Sequence, residues 1–395
     1  MKYKEEGLLR STMLTKEMQY SIELLAILQN SNVSDAVYDK IVDWLWHCSE
    51  PELFMNMPKR DTMMGKLRNR YMMDDMYLVN EECILPSIDL PIYVPVHSFV
   101  NSLFSLLTST DLMRSEHLLF ADKHNPAYVP PQDPNGNYGD VNSGDAYYRF
   151  HDGIKNKSDT VLVSLMIFAD GMCIDKYGQH GQEPWMYMLG IFNRAMRQQP
   201  RAWQNLGLTK SNCTQQYSTD EIGRAISEME NPLPKKGQYN YVAPDILNWH
   251  RQVSTIFQML LEIQQFVEGM KWVFVIDGCE IQKLYSIVLP ILVVMGDMPF
   301  LNKVVGMHRN LQGNRVCRMC NIDRDHLDDP YCSYVETDSD QLRQKMLTDP
   351  VKTKDLRYYP MKQNIFHHLQ FCHAKGVNQS TPVEPLHCVL LGLFI

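Results

Sequence analysis

Val161-Leu-Val-Ser-Leu-Met-Ile-Phe-Ala169, closed by Asp170-Gly171, is an unbroken apolar run rich in β-branched and aromatic residues. Such a run has the composition of a strand buried on both faces rather than of a half-exposed one. A second stretch of the same kind lies far downstream, Val288-Leu-Pro-Ile-Leu-Val-Val-Met295, and it too runs into a small residue and an acid, Gly296-Asp297. Two buried strands that each end in aspartate predict an α/β core with carboxylates at the strand ends. Carboxylate oxygens are hard ligands that suit Mg²⁺ or Mn²⁺. The plainer expectation for each acid alone is a turn, because Asp-Gly favours one.

Around these runs the sequence predicts further elements. Trp185 to Phe192 and Trp272 to Ile276 read as strands. Val253, Ile256, Phe257, Leu260, Ile263 and Val267 recur at helical spacing and predict an amphipathic helix over 244–270. Two more helices are predicted within 15–46, where Leu24, Leu25, Ile27 and Leu28 are followed by Val37, Ile41, Val42, Leu45 and Trp46. Asp35, Asp39 and Asp43 along the second make packing a better use for this hairpin than DNA reading. Proline and glycine at 126, 130, 131, 134, 136, 139 and 144 mark a linker. The expected organisation is therefore a helical N-terminal region at 1–120 and a linker at 121–159. A catalytic core at 160–300 follows, then a Cys/His insertion with the opening of a further core segment at 301–395. The last residues, Leu386 to Ile395, are apolar and uncapped, so the core reads as cut short.

The chain has 395 residues, 45% hydrophobic and 21% charged, which is the balance of a globular protein. The N-terminus Met1-Lys2-Tyr3-Lys4-Glu5-Glu6 lacks the apolar segment of a signal peptide. The longest apolar run falls well short of the roughly 20 residues that span a bilayer. The reading is a soluble intracellular protein, whose ten cysteines are thiols or metal ligands rather than disulfides. A net charge of -8 argues against a general nucleic-acid binder. Locally the balance differs. Between Pro184 and Thr219 there is no acid, and Arg194, Arg197, Arg201 and Lys210 are present. Between Met298 and Ile322 the acids are again missing, and Lys303, Arg309, Arg315 and Arg318 occur. These stretches follow the candidate strands and would draw phosphate toward the strand ends, with Phe192 and Trp203 available to stack on bases.

Cys317-Arg-Met-Cys320 has the spacing of half a zinc site or of a redox pair. His367, His368, Cys372, His373, His387 and Cys388 lie downstream, and the spacing leaves open which of them would complete a tetrahedral set.

From about residue 140 onward the chain resembles the CACTA (En/Spm-like) DNA transposases. The likeness is carried by Ile167-Phe-Ala-Asp-Gly171, Gly190-Ile-Phe-Asn-Arg194, Pro200-Arg-Ala-Trp203 with Leu206-Gly207, and Val294-Met-Gly-Asp297. It continues in Val316-Cys-Arg-Met-Cys320, Asn364-Ile-Phe-His367, and Thr381-Pro-Val-Glu-Pro-Leu-His387 with Gly392. What the resemblance implies is a ribonuclease-H-like mixed sheet carrying a DDE/D site. Asp170 and Asp297 would be the first two acids, with Glu384 or a glutamate on a later helix beyond Ile395 the third, holding Mg²⁺ or Mn²⁺. It further implies a zinc-stabilised insertion using Cys317, Cys320 and His387, with His373 taken here as a fourth ligand. Double-stranded DNA, at element termini and target, would be the partner, met by Arg194, Arg197, Arg201, Lys303, Arg309 and Arg315. The resemblance also implies a nuclear location, involves no membrane and leaves room for a homo-oligomer.

Three alternatives stand beside this expectation. Asp175 and Asp277 rival the first and second acids. The chain could be an inactive, transposon-derived interaction or DNA-binding protein, or the Cys/His cluster could itself be a zinc hydrolase centre with an open coordination position.

Overall fold

A computed structural model describes residues 79–382, except 121, 123, 128–138, 174–180, 212, 237, 239–240, 267–268, 308–316, 323, 327–328, 330, 332, 350–357, 360 and 362–363. The two helices predicted within 15–46 lie outside the described residues.

The described chain opens with an antiparallel hairpin, β1 (Val79–Leu85) and β2 (Leu90–Val96), followed by helix α1 (Phe99–Thr108), which is capped by the Ser98 hydroxyl. Within the region 1–120 expected to be helical, residues 79–96 thus form a strand hairpin and 99–108 a helix. Cys83, Leu85, Ile92 and Val94 are buried, and the Val96–Gly207 pairing joins this hairpin to the main sheet. The expected linker is also partly ordered. Helix α2 (Asp145–Asp152) buries Tyr147 and His151, and Asp140 just before it pairs with Arg197.

The long apolar run does not form one strand. It divides into β3 (Thr160–Leu162) and β4 (Leu165–Ala169). After the two-residue β5 (Met172–Cys173), the chain returns as β6 (Gly181–Leu189). The short helix α3 (Arg194–Arg197) then leads into β7 (Gln204–Lys210). Helix α4 (Thr219–Glu228) begins with a reciprocal Ser218–Glu221 capping box. Helix α5 (Pro244–Gln264) matches the predicted amphipathic segment and buries Val253, Ile256, Phe257, Leu260 and Ile263.

Next come β8 (Met270–Trp272) and a tight hairpin of β9 (Val275–Ile276) and β10 (Cys279–Glu280). The second apolar run follows, and it too divides: β11 (Tyr285–Val288) and β12 (Ile291–Met295) flank Leu289-Pro290. Pro290 has no N–H to give a ladder, so the run breaks where its first half leaves one sheet and its second half joins another. Helix α6 (Met298–Val304) starts directly after Asp297, and α7 (Ser339–Thr348) lies further on.

Among the described residues the main sheet has the order β1-β2-β7-β6-β4-β12, with β5 continuing along β6. Strands β4, β6 and β7 form an antiparallel meander. The chain then crosses through α5, and β12 pairs with β4 in parallel, Phe168 opposite Met295. A smaller sheet holds β3-β11-β8, and there β11 runs parallel to β3. The two apolar runs thus lie side by side through both sheets. The gap between the sheets is stitched by Val163 N–H to the Val288 carbonyl (3.0 Å) and Leu165 N–H to the Pro290 carbonyl (2.9 Å). The fold class is α/β with a mixed sheet.

Alternation along β6 turns Trp185 and Tyr187 to the face covered by helices. Trp185 is fully buried among Trp249 and Phe257 of α5, Phe300 of α6, and Phe366, with ring centroids 5.1–5.9 Å apart. Replacing Trp185 with alanine should lower the unfolding free energy by about 3–5 kcal/mol. Chemical denaturation is the measurement.

Candidate functional site: the ends of two parallel strands

Asp170 follows β4 and Asp297 stands two residues beyond the end of β12, and those strands are hydrogen-bonded neighbours. Each aspartate is two residues beyond a paired residue, Phe168 or Met295. Close approach at these ends is permitted by Gly296. A Cβ built there would fall 2.8 Å from the Ala169 carbonyl oxygen and 2.5 Å from the Phe300 ring. Glycine lets the backbone of one strand end pass directly beside the other.

Asp170 is exposed. The register on β6, Ala169 to Trp185 and then Met172 to Gln182, puts Pro184 opposite Asp170. Pro184 has no N–H to offer, which accounts for the interruption between β4 and β5 at the aspartate. Asp297 is half-buried, and its Oδ1 accepts the Phe300 N–H at 2.7 Å as the N-cap of α6. The plain structural role expected of an aspartate after a strand is thus realised here. It occupies Oδ1, and the strand-end position remains.

The rival acids fare differently. Asp175 lies outside the described residues. Asp277 forms the β9–β10 turn with Gly278, with φ at 52° and 74°. Positive φ at both central residues is what a two-residue type I′ hairpin demands. Its Oδ1 accepts the Ser115 N–H at 2.9 Å. Asp277 is a turn residue of a separate two-stranded sheet and does not stand at the end of β4 or β12.

Behind the strand ends sits a polar cluster that sequence reading missed. Glu183 of β6 accepts from Lys303 Nζ of α6 (3.0 Å), from the Thr209 hydroxyl (2.9 Å) and from the Trp249 indole N–H. The Lys303 ammonium lies 4.2 Å over the Trp249 ring. The side chains of Lys303 and Glu183 are only 7% and 14% exposed. Lys303 is therefore not a phosphate contact as expected; it anchors α6, and hence Asp297, to the sheet. The only signal in the sequence was an acid next to Pro184 at a strand start. The Lys303 carbonyl meets His250 Nε2 at 3.0 Å. Burial, aided by the Lys303 ammonium, pushes the His250 imidazole down to about 3, and burial takes His367 to about 4. His250 Nδ1 is buried without a hydrogen-bond partner among the described residues.

The other basic candidates separate in the same way. Arg197 pairs with Asp140 and donates to the Phe192 carbonyl (2.8 Å), so it is structural. Arg194 is exposed on α3. Arg201 is 52% exposed and 3.9 Å from Asp111. Arg309 and Arg315 lie outside the described residues. Phe192 is fully buried in the core and is not available to a base. Trp203 is half-buried, edge-on to Phe168 at 6.2 Å, and gives its N–H to the Arg197 carbonyl.

Cys317 and Cys320 are half-buried, and the backbone of Cys320 bridges to Glu336. His373 is half-buried and its Nδ1 accepts the Lys375 N–H at 3.2 Å. Among the described residues no group of three or more His, Cys, Asp or Glu is arranged to hold a metal ion, so His373 does not complete a set with the two cysteines there. Glu384 and His387, the expected third acid and zinc ligand, lie outside the described residues. No helix among those described is long and apolar enough to cross a membrane.

The chain matches no family model and no curated protein.

Two measurements check this geometry. Gly296→Ala must push the Ala169 carbonyl or the Phe300 ring aside and should cost about 1–3 kcal/mol of stability, read by chemical denaturation. The pH dependence follows from the two buried imidazoles. In the unfolded chain each takes up a proton near pH 6.5, whereas the folded protein resists protonation until pH 3–4. Stability should therefore fall as pH drops from about 6.5 toward 4, by up to about 1.4 kcal/mol per pH unit for each histidine. His250→Gln should shrink the loss between pH 7 and pH 5; an unchanged loss would exclude His250 as a source.

Proposed function

We propose that this chain is the core of a transposase-type polynucleotidyl transferase that cuts and joins DNA strands at element ends by two-metal-ion catalysis. The observation that supports the reading is the parallel, hydrogen-bonded pairing of β4 with β12, which ends both strands at the same edge of the sheet, with Asp170 and Asp297 each two residues past the last pair. The strand order supports it as well. An antiparallel meander, a helical crossover and a strand returning parallel to the first of the three is the arrangement expected of a ribonuclease-H-like sheet.

The residues present fit divalent ions in their donor chemistry. Two hard carboxylates at adjacent strand ends, one of them exposed, suit Mg²⁺ or Mn²⁺. The chemistry that such ions would supply there is activation of a water and stabilisation of the leaving oxygen of a phosphodiester. In this reading Asp170 and Asp297 would hold the ions. The Phe300 N–H fixes the rotamer of Asp297, and the Glu183–Lys303 pair keeps the helix behind it in place. Glu384 is the third acid of the proposal. Arg194 and Arg201 are the exposed cations nearest in sequence to the Trp203–Phe168 contact beneath Asp170, and they would meet the DNA backbone. Cys317 and Cys320 would take zinc with His387 and a further ligand. DNA ends and target are the proposed partners, in the nucleus.

A second reading, an inactive transposon-derived binding protein, draws on the capping role that Asp297 already fills. Strand cleavage separates the two. A terminal-inverted-repeat duplex incubated with Mg²⁺ should be nicked by the wild-type chain. Asp170→Asn and Asp297→Ala should each reduce the rate by at least ~100-fold, the scale of losing an electrostatic contributor to the transition state. Equal cleavage by wild type and both variants would remove these residues from the mechanism.

A further inference from the structure

The middle of the cysteine motif, Arg318, is only 2% exposed. Burying a guanidinium is costly unless its donors are engaged, and the bonds of this one tie together three segments far apart in the sequence. Nε donates to the carbonyl and the hydroxyl of Thr381, both at 3.1 Å, and Nη2 donates to the Pro382 carbonyl at 2.7 Å. Nη1 donates to the Met298 sulfur at 2.8 Å. Met298 is the first residue of α6, adjacent to Asp297, and Pro382 stands two residues before Glu384 in the sequence.

The backbone of the same turn is held as firmly. The Arg318 carbonyl accepts from the Tyr358 hydroxyl (3.2 Å) and from Asn378 Nδ2 (2.9 Å), and Gln379 Nε2 donates to the Met319 carbonyl. Tyr358 and Asn378 are themselves fully buried and bonded to each other at 2.9 Å. The turn is thus rigid on its own side, and the guanidinium projects from it as a fixed strut against the start of α6. Because Asp297 takes its rotamer from the first turn of that helix, a strut on Met298 acts on the aspartate directly.

We propose that Arg318 is a positioning residue. It transmits the placement of the Cys317–Cys320 turn to the first turn of α6, and so fixes the Asp297 carboxylate relative to Asp170. The role rests on the two-carboxylate site proposed above. A lysine cannot reproduce it, since the planar fork reaches Met298 and Pro382 at once and an ammonium cannot.

The test uses the full chain with Arg318→Lys and Arg318→Met, read in two independent ways. Hydrogen exchange of the α6 amides at residues 300–304 reports the strut without reference to catalysis. In both variants these amides should exchange at least ~5-fold faster, while those of α1, whose buried face meets Tyr187 rather than α6, keep their wild-type rates; such local opening is separable from global unfolding. The Mg²⁺ concentration for half-maximal strand cleavage should rise ~10-fold or more, the size of effect that loss of an outer-shell partner has on metal binding. The rate at saturating Mg²⁺ should stay within ~3-fold of wild type, because the carboxylates themselves remain. Wild-type exchange in α6 for both variants would overturn the strut whatever the cleavage assay gives. Faster exchange with an unchanged Mg²⁺ requirement would overturn the link to the carboxylates. A wild-type chain that cuts no DNA would sink the transferase reading, and the exchange comparison would still decide whether Arg318 holds the helix.

Discussion

The structure depends on one pairing, the parallel contact between two apolar runs more than a hundred residues apart. From Thr160 opposite Ser286 to Phe168 opposite Met295 they stay together, changing sheets at Ser164 and Pro290 and bridging the change with two backbone hydrogen bonds. Parallel neighbours need a long crossover. Here the crossover includes the meander strands β6 and β7 and the helix α5, which packs across β1, β2 and β7. Both strands point the same way, so both carboxyl ends meet on one edge, where Gly296 permits contact with the Ala169 carbonyl. An antiparallel pairing of the same two runs would have sent Asp170 and Asp297 to opposite ends of the sheet.

Charge shows a similar dependence on placement. By sequence the basic stretches looked like two faces for phosphate. In the fold Lys303, Arg197 and Arg318 turn inward and hold segments together, to Glu183, to Asp140 and to the carbonyls of Thr381 and Pro382. Removing one partner of such a buried pair is far more costly than removing a surface charge. Among the described residues Arg194 and Arg201 remain outward, fewer than the count of basic residues suggested. A run without acids does not distinguish a cation that meets solvent from one that enters a core, because the buried acid that pairs with it comes from another part of the chain.

The strand-end aspartates, the amphipathic helix and the general α/β class were legible in the sequence because each rests on local pattern. Alternation, helical spacing and an acid after an apolar run are properties of neighbours in the chain. The division of each apolar run into two strands was not legible at Ser164, and at Pro290 it was legible only as a break. The β1–β2 hairpin was missed because its inward residues, Cys83, Leu85, Ile92 and Val94, are interleaved with exposed residues and prolines that weaken the pattern. Cys317 and Cys320 were conspicuous by spacing. The residue between them that carries the connections, Arg318, gave no signal beyond being one more arginine.

By itself, then, the sequence determined which segments must be buried and which acids stand where the two apolar runs end, since hydrophobic periodicity and turn chemistry act over a few residues. Only the tertiary structure decided which two strands run parallel, that Asp277 belongs to a type I′ turn, and that Glu183 and Arg318 brace the helix behind Asp297. Those outcomes depend on groups distant in the chain satisfying one another's hydrogen bonds and charge inside a shared core, and no local pattern records such a partner.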